Sequence, residues 1–122
     1  MRLVEIQGTN MDLTPAIKAY VDQRLEPIAR LIEKLEPCDV RAEVGKTSNH
    51  HAKGDVFRTE FNLTTNGGFF RAESTFDDLY ASIDAAASDL RRQVVDHKEK
   101  LREGARVVSE IESVEHEFGD QI

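Results

Sequence analysis

Three features of the 122-residue sequence predict an α+β fold of order β-α-β-β-β-α, a four-stranded mixed sheet with two helices packed on one face. Two long stretches carry apolar residues at helical spacing. Four short stretches have the alternation of strands, and an Asn-Gly-Gly triplet marks a hairpin between the last two. Each helix then has one apolar stripe, and laying both on the same sheet face buries every stripe at once.

Arg2 to Gln7 alternates, with Leu3 opposite Val4 and Ile6, and reads as the first strand, broken by Gly8-Thr9-Asn10. Thr14-Pro15 starts the first helix: the threonine hydroxyl accepts from an orphan amide, and proline tolerates the first helical position. Ile17, Tyr20, Val21, Leu25, Ile28, Leu31, Ile32 and Leu35 then recur at helical spacing. Pro27 is predicted to bend or interrupt this helix, and Pro37 to close it. Val40, Ala42 and Val44 alternate with Arg41 and Glu43 in a second strand ended by Gly45. It joins the first in parallel through a right-handed crossover. Lys46 to Gly54 is a polar loop.

Val56 to Thr65 is the third strand, where Thr59 keeps the register of Phe57, Phe61 and Leu63 unless a bulge intervenes. Asn66-Gly67-Gly68 turns the chain, because these residues accept positive φ at little cost, and Phe69 to Ser74 is the fourth strand. Thr75 with Asp78 reads as a capping box for the second helix, with Asp77 adding charge at its positive end. Phe76, Leu79, Tyr80, Ile83, Ala87, Leu90, Val94, His97 and Leu101 keep one face, and Gly104 is the predicted stop. The expected division is a domain over 1–103 and an acidic tail over 104–122, mobile in isolation.

Composition narrows the function. Hydrophobic residues are 39% and charged residues 32%, enough for one core under a heavily solvated surface. Glu5 interrupts the first apolar run, so no signal peptide is read, and no run approaches a membrane span. The single cysteine, Cys38, cannot form an internal disulfide, and a cytoplasmic protein is expected. The net charge of −7 argues against a nucleic-acid partner until its distribution is read. Residues 103–122 hold six acids against Arg106, a net of −5, so the first 102 residues carry only −2. Within them Arg91, Arg92, Lys98, Lys100 and Arg102 stand against Asp96 and Glu99, a local +3.

On a helical wheel Arg91, Lys98 and Arg102 share one flank of the apolar stripe, and Asp78, Asp89 and Asp96 the other. Such a basic flank fits two readings. One is a solvated face with cations near the negative helix end. The other is a site that tracks a phosphate backbone. Lys18, Arg24, Arg30 and Lys34 on the first helix, interleaved with Asp22, Glu26 and Glu33, read as an ordinary exposed face. The cationic loop offers Lys46, His50 and Lys53 as further contacts. His50-His51 is a poor metal pair, since adjacent strand residues point apart and no third ligand is near, so no metal is expected. His97 reads as a histidine at the core edge. No glycine-rich phosphate loop, nucleophile elbow or zinc spacing appears, so neither an enzyme, nor a cofactor, nor a small-molecule substrate is expected. With no Trp and few aromatics, base stacking has little material.

Several stretches resemble the family of hibernation-promoting factors and ribosome-associated inhibitor A, also called the sigma-54 modulation family. They are Ile6-Gln7-Gly8-Thr9-Asn10 with Leu13-Thr14-Pro15-Ala16-Ile17, Tyr20-Val21 through Arg24-Leu25, His51-Ala52-Lys53-Gly54 and Arg71-Ala72-Glu73. Asp78-Leu79-Tyr80-Ala81-Ser82-Ile83-Asp84 is the most specific; Leu90-Arg91-Arg92-Gln93 and His97-Lys98-Glu99-Lys100 add to it. The resemblance runs from about residue 3 to 102 and implies the same fold. It also implies binding at the decoding region of the small ribosomal subunit, with ribosomal RNA held by Lys18, Arg24, Arg91, Arg92, Lys98 and Lys100; the wheel adds Arg102. Inhibition of translation under stress or in stationary phase would be steric and electrostatic.

The sequence departs from that pattern at Asp89 and Asp96, where relatives usually carry a cation or a neutral polar residue, and at Glu26-Pro27, a stretch that is often basic. Nothing after Gly104 could build the dimerisation domain of the long subclass, so a short form, monomeric off the ribosome, is expected. Two other classes fit the residues. One is a generic double-stranded-RNA-binding module, which also packs two helices on one sheet face. The other is a protein–protein adaptor docking through Val107, Ile111, Val114 and Phe118 if the tail becomes helical.

Overall fold

In a computed structural model, residues 1–47 and 54–119 are described. The chain forms β1 (Arg2–Thr9), α1 (Pro15–Leu31), a single 3-10 turn (Glu33–Leu35), β2 (Asp39–Lys46), β3 (Phe57–Thr65), β4 (Gly68–Phe76) and α2 (Leu79–Gly119). The strands lie in the order β1-β2-β3-β4. β1 and β2 are parallel across the α1 crossover, and the other pairs are antiparallel, which makes the sheet mixed. This is the predicted order and fold class.

The core lies between the sheet and the two helices. Ile17, Val21, Leu25 and Ile28 of α1 and Ile83, Ala86, Ala87, Leu90 and Val94 of α2 meet Val40, Ala42, Val44, Phe61, Leu63, Phe70 and Ala72 of the sheet. Thr59 shares this inward face without a bulge, fully buried, and pairs with Val44. Its hydroxyl lies 2.8 Å from that of Ser82, which in turn donates to the Leu79 carbonyl at 2.7 Å. Thr14 caps α1 as predicted, its hydroxyl accepting from the Ile17 amide at 3.2 Å. His97 stands edge-on to Phe70 at the core margin, with ring centroids 5.2 Å apart.

Several boundaries differ from the predicted ones. A bulge between Leu3 and Glu5 resets the phase of β1, so Leu3 and Ile6 pack on the core and Val4 is exposed. Gly8 and Gly45 do not end their strands: Gly8 pairs with Val44 and Thr9 with Gly45. A Cβ on Gly45 would lie 2.1 Å from the Thr9 carbonyl oxygen. Glycine is therefore there for the close approach of two backbones, and the break falls at Asn10, with φ 57.

Pro27 does not interrupt α1. It withholds one backbone bond, from the Gln23 carbonyl, and both residues are exposed so that water can satisfy it. The α-helix closes before Pro37, at Leu31, and the 3-10 turn follows. Thr75 and Phe76 are not in a capping box, because they still pair with Arg58 and Phe57 of β3. Asp78 caps α2 instead, its carboxylate accepting from the Tyr80 amide at 3.2 Å and its carbonyl from the Ser82 amide at 3.0 Å. Gly104 does not stop α2, which runs on to Gly119. One glycine costs a helix only about 1 kcal/mol. Leu101, Arg102, Glu103, Ala105 and Arg106 around it are good helix formers.

Candidate nucleic-acid interface

α1 and α2 lie side by side on the sheet, and a groove runs between them. One end is a cleft of about 340 Å³ with Pro27, Ile28 and Ala87 in its walls and Arg24, Asp84, Ser88 and Arg91 as its polar groups. The other end is a cleft of about 350 Å³ with Leu31, Leu35 and Leu101 as apolar lining, surrounded by Arg30, Lys34, Lys98, Arg102 and Glu33. The two clefts together present six cations against two carboxylates, although the whole chain carries −7. This concentration of charge belongs to neither helix alone.

At the first end two side chains converge on one carboxylate oxygen. The Tyr20 hydroxyl and the Arg24 Nε each donate to Asp84 Oδ1 at 2.6 Å. The Arg24 guanidinium carbon sits 5.5 Å from the Tyr20 ring centroid, and Tyr20 meets Tyr80 edge-on at 4.8 Å. The Arg24 hydrogen bond holds the Asp84 carboxyl below its ordinary range, and Asp84 raises both Arg24 and Tyr20. At the second end Arg30 is paired with Glu26 at 2.7 Å.

Of the predicted RNA-binding residues, Arg24, Arg91, Lys98 and Arg102 line this groove. Lys18 stands four residues before Asp22 on the other flank of α1, where Asp22 and Leu25 face Met1 and Leu3 of the β1 end. Arg92 is paired with Asp89, whose hydrogen bond raises the guanidinium pKa. Lys100 is exposed and four residues beyond Asp96, on the acidic flank. That flank turns to β4, where Gln93 donates to Asp89 at 3.0 Å and to the Arg71 carbonyl at 2.8 Å. Lys46 sits at the far end of the sheet, 3.3 Å from Asp55 and 6.0 Å from the Phe57 ring centroid. His50 and Lys53 lie outside the described residues.

Arg30 and Lys34, read from the sequence as an ordinary exposed face, stand beside Lys98 and Arg102. Arg30 near the end of α1 and Lys34 in the 3-10 turn after it become informative only once α2 lies alongside. The outer face of the sheet is the opposite case. Arg58 contacts Glu43, Glu60 and Glu73, and Arg71 contacts Glu60 and Glu73. Its cations are neutralised in place. Among the described residues no group of three or more His, Cys, Asp or Glu side chains could hold a metal ion. No helix among them is long and apolar enough to cross a membrane.

Residues 4–102 match the sigma 54 modulation protein / S30EA ribosomal protein family. The chain belongs to that family. Among curated relatives, the ribosome hibernation promotion factor of Deinococcus radiodurans is 30% identical over 77% of this chain and 48% of its own length. The chain thus spans about half the length of that relative. The ribosome hibernation promoting factor of Klebsiella oxytoca is 27% identical over 82% of this chain and 97% of its own length. Among solved structures, the N-terminal domain of Thermus thermophilus Protein Y matches with a TM-score of 0.59 and 33% identity, covering 77% of this chain and 96% of that one. A ribosomal subunit interface protein from Coxiella burnetii shares the fold, with a TM-score of 0.61 at 17% identity over 81% of this chain and 99% of its own. The family's span ends at residue 102, so every cation of the groove falls inside it.

Proposed function

We propose that this chain associates with ribosomes, binding the small subunit at its decoding region through the groove between α1 and α2 and excluding messenger and transfer RNA. The observation that carries the reading is the collection of Arg24, Arg30, Lys34, Arg91, Lys98 and Arg102 along one groove of a net-acidic molecule. Regularly spaced donors of this kind suit a phosphate backbone, and contacts to phosphate need no base-specific geometry. The names of the family's members support the ribosome as the bearer of that backbone. Inhibition is by occupancy, so no residue needs a catalytic role and no cofactor is required. Residues 1–103 form the ribosome-binding unit and 104–122 an acidic extension, and the protein acts in the cytoplasm as a monomer until it meets a ribosome.

The test is equilibrium binding to purified small subunits across a salt series. Six phosphate contacts should cost on the order of 10³ in affinity between roughly 50 and 200 mM salt, through counterion release. Replacing Arg91, Lys98 and Arg102 with Ala should cut the salt slope by roughly half. Replacing Arg92 and Lys100 with Ala should leave it nearly unchanged. A salt-independent affinity would sink the phosphate reading. Equal losses from both variants would move the RNA from the groove to the outer face of α2.

A further inference from the structure

The cluster of Tyr20, Arg24 and Asp84 places a carboxylate inside a groove that is otherwise cationic. For a site that receives a polyanion, Asp84 is the wrong charge. It is also a weak staple. Its side chain is 40% exposed and that of Arg24 47%, and an ion pair so open to water adds little to stability. What the cluster does strongly is orient. Arg24 has a long, rotamer-rich side chain that would otherwise sample many positions above the groove. Here its Nε is held by Asp84 Oδ1, its guanidinium carbon lies over the Tyr20 ring, and the Tyr20 hydroxyl holds the same oxygen. The Tyr20 ring is itself held edge-on by Tyr80 of α2, so the clasp is built from both helices.

A guanidinium held through Nε still has its outer edge, the two terminal nitrogens, for an incoming acceptor. That edge is the fork that matches two oxygens of one phosphate. Ser88 and Arg91 line the same cleft from α2. We propose that Asp84 and Tyr20 are positioning residues: they pre-set Arg24 so that it, Ser88 and Arg91 together receive one phosphodiester of the bound RNA. The inference rests on the groove reading above and deepens it. It assigns a role to the last acid of the Asp78–Asp84 stretch and to Tyr20, neither of which touches the RNA. Pre-ordering moves the entropy cost of fixing Arg24 from binding to folding, which is how a negative charge can raise affinity for a polyanion.

The sign of one substitution decides between positioning and simple charge. Removing a carboxylate from the groove should tighten RNA binding if only long-range electrostatics mattered, and weaken it if Arg24 loses its holder. The experiment measures binding of the full chain to purified small subunits at fixed salt for wild type, Asp84→Asn, Tyr20→Phe, Arg24→Ala and the double variant Arg24→Ala/Asp84→Asn. Asp84→Asn should bind about tenfold more weakly than wild type, the scale of one charge-assisted contact. Tyr20→Phe keeps the ring against Tyr80 and should weaken binding in the same direction. In the Arg24→Ala background, Asp84→Asn should cause no further loss, since nothing remains to be positioned. A merely structural role for Asp84 would weaken both backgrounds equally, and far-ultraviolet circular dichroism confirms that each variant is folded. Asp84→Asn binding as tightly as wild type or tighter overturns the proposal, as does Arg24→Ala binding like wild type. Wild type that fails to bind, or binds without salt dependence, takes the groove reading down with it. Salt-dependent wild-type binding with an unaffected Asp84→Asn removes the positioning role alone.

Discussion

Ser82 is a polar residue with no exposure, and its tolerance depends on where its two hydrogen bonds lead. Its hydroxyl donates to the Leu79 carbonyl, so the contact with Thr59 requires Thr59 to be the donor. The two partners are therefore not equivalent. Thr59→Val removes a donor and leaves Ser82 with its own donor still placed. Ser82→Ala leaves the buried Thr59 hydroxyl with no acceptor, and a stranded buried polar group costs about 1–3 kcal/mol, against about 1 kcal/mol for an ordinary bond lost. Chemical denaturation should therefore show Ser82→Ala to be the more destabilising change. The reverse order would mean that the threonine hydroxyl has another acceptor. The same pair explains why a threonine keeps strand register among Phe61 and Leu63: it is fully buried, and its hydroxyl is paired with α2.

Among the elements, α2 is the one whose length the residue pattern understates most. Its apolar face is spent on the core through Val94, yet the helix continues through Gly104 to Gly119, with Leu101, Val107, Val108 and Ile111 exposed. The side chains of Val114 and Phe118 lie outside the described residues. Nothing within 4 Å would meet a Cβ at Gly104, so that position has room for a side chain. Gly104→Ala should then raise helicity in circular dichroism and stabilise this segment by about 0.5–1 kcal/mol, the penalty that glycine carries in a helix interior. Unchanged helicity would place the end of α2 at Gly104 after all. Pro27 teaches the converse: a helix breaker in an exposed position removes one bond without ending α1, whose buried face holds it down.

At the scale of the whole molecule, charge is sorted by surface. The outer sheet face pairs its cations with carboxylates, the groove between the helices concentrates cations, and the extension of α2 is acidic. The sheet network sets the response to acid. Glu60 is held below its ordinary value of 4.5 by the Asn62 hydrogen bond and then by Arg58, and Glu73 chiefly by Arg58. For each, the folded value lies below the unfolded one, so the stabilisation is fully present above the unfolded value and is lost as pH falls through the folded one. The melting temperature should stay level from neutral pH down to about 5 and decline below about 4.5, as unfolded carboxylates begin to bind protons. Glu60→Gln should flatten that decline. A melting temperature that falls between pH 7 and 5 would point to other groups.

The sequence by itself determined the order of elements, the core stripes from Ile17 to Ile28 and from Ile83 to Val94, the Thr14 cap, the inward Thr59 and the hairpin at Asn66-Gly67. These follow from patterns within a few residues, set by the repeats of helix and strand and by turn chemistry. Phe76, Tyr80 and Leu101, read on the second stripe, are exposed instead. The family resemblance was also written in local words, above all Asp78 to Asp84. Tertiary structure alone decided the rest. The bulge before Glu5 depends on how β1 meets β2, and Gly45 is in a strand because Thr9 approaches from the neighbouring one. Thr75 and Phe76 belong to β4 because β3 pairs with them ahead of the helix. The groove is the clearest case. Arg24 and Asp84 are sixty residues apart, and Arg30 and Lys34 acquire meaning only beside Lys98 and Arg102. Which flank of α1 faces which flank of α2 is fixed by how both helices seat their apolar stripes on one twisted sheet. No local pattern along the chain encodes that rotation.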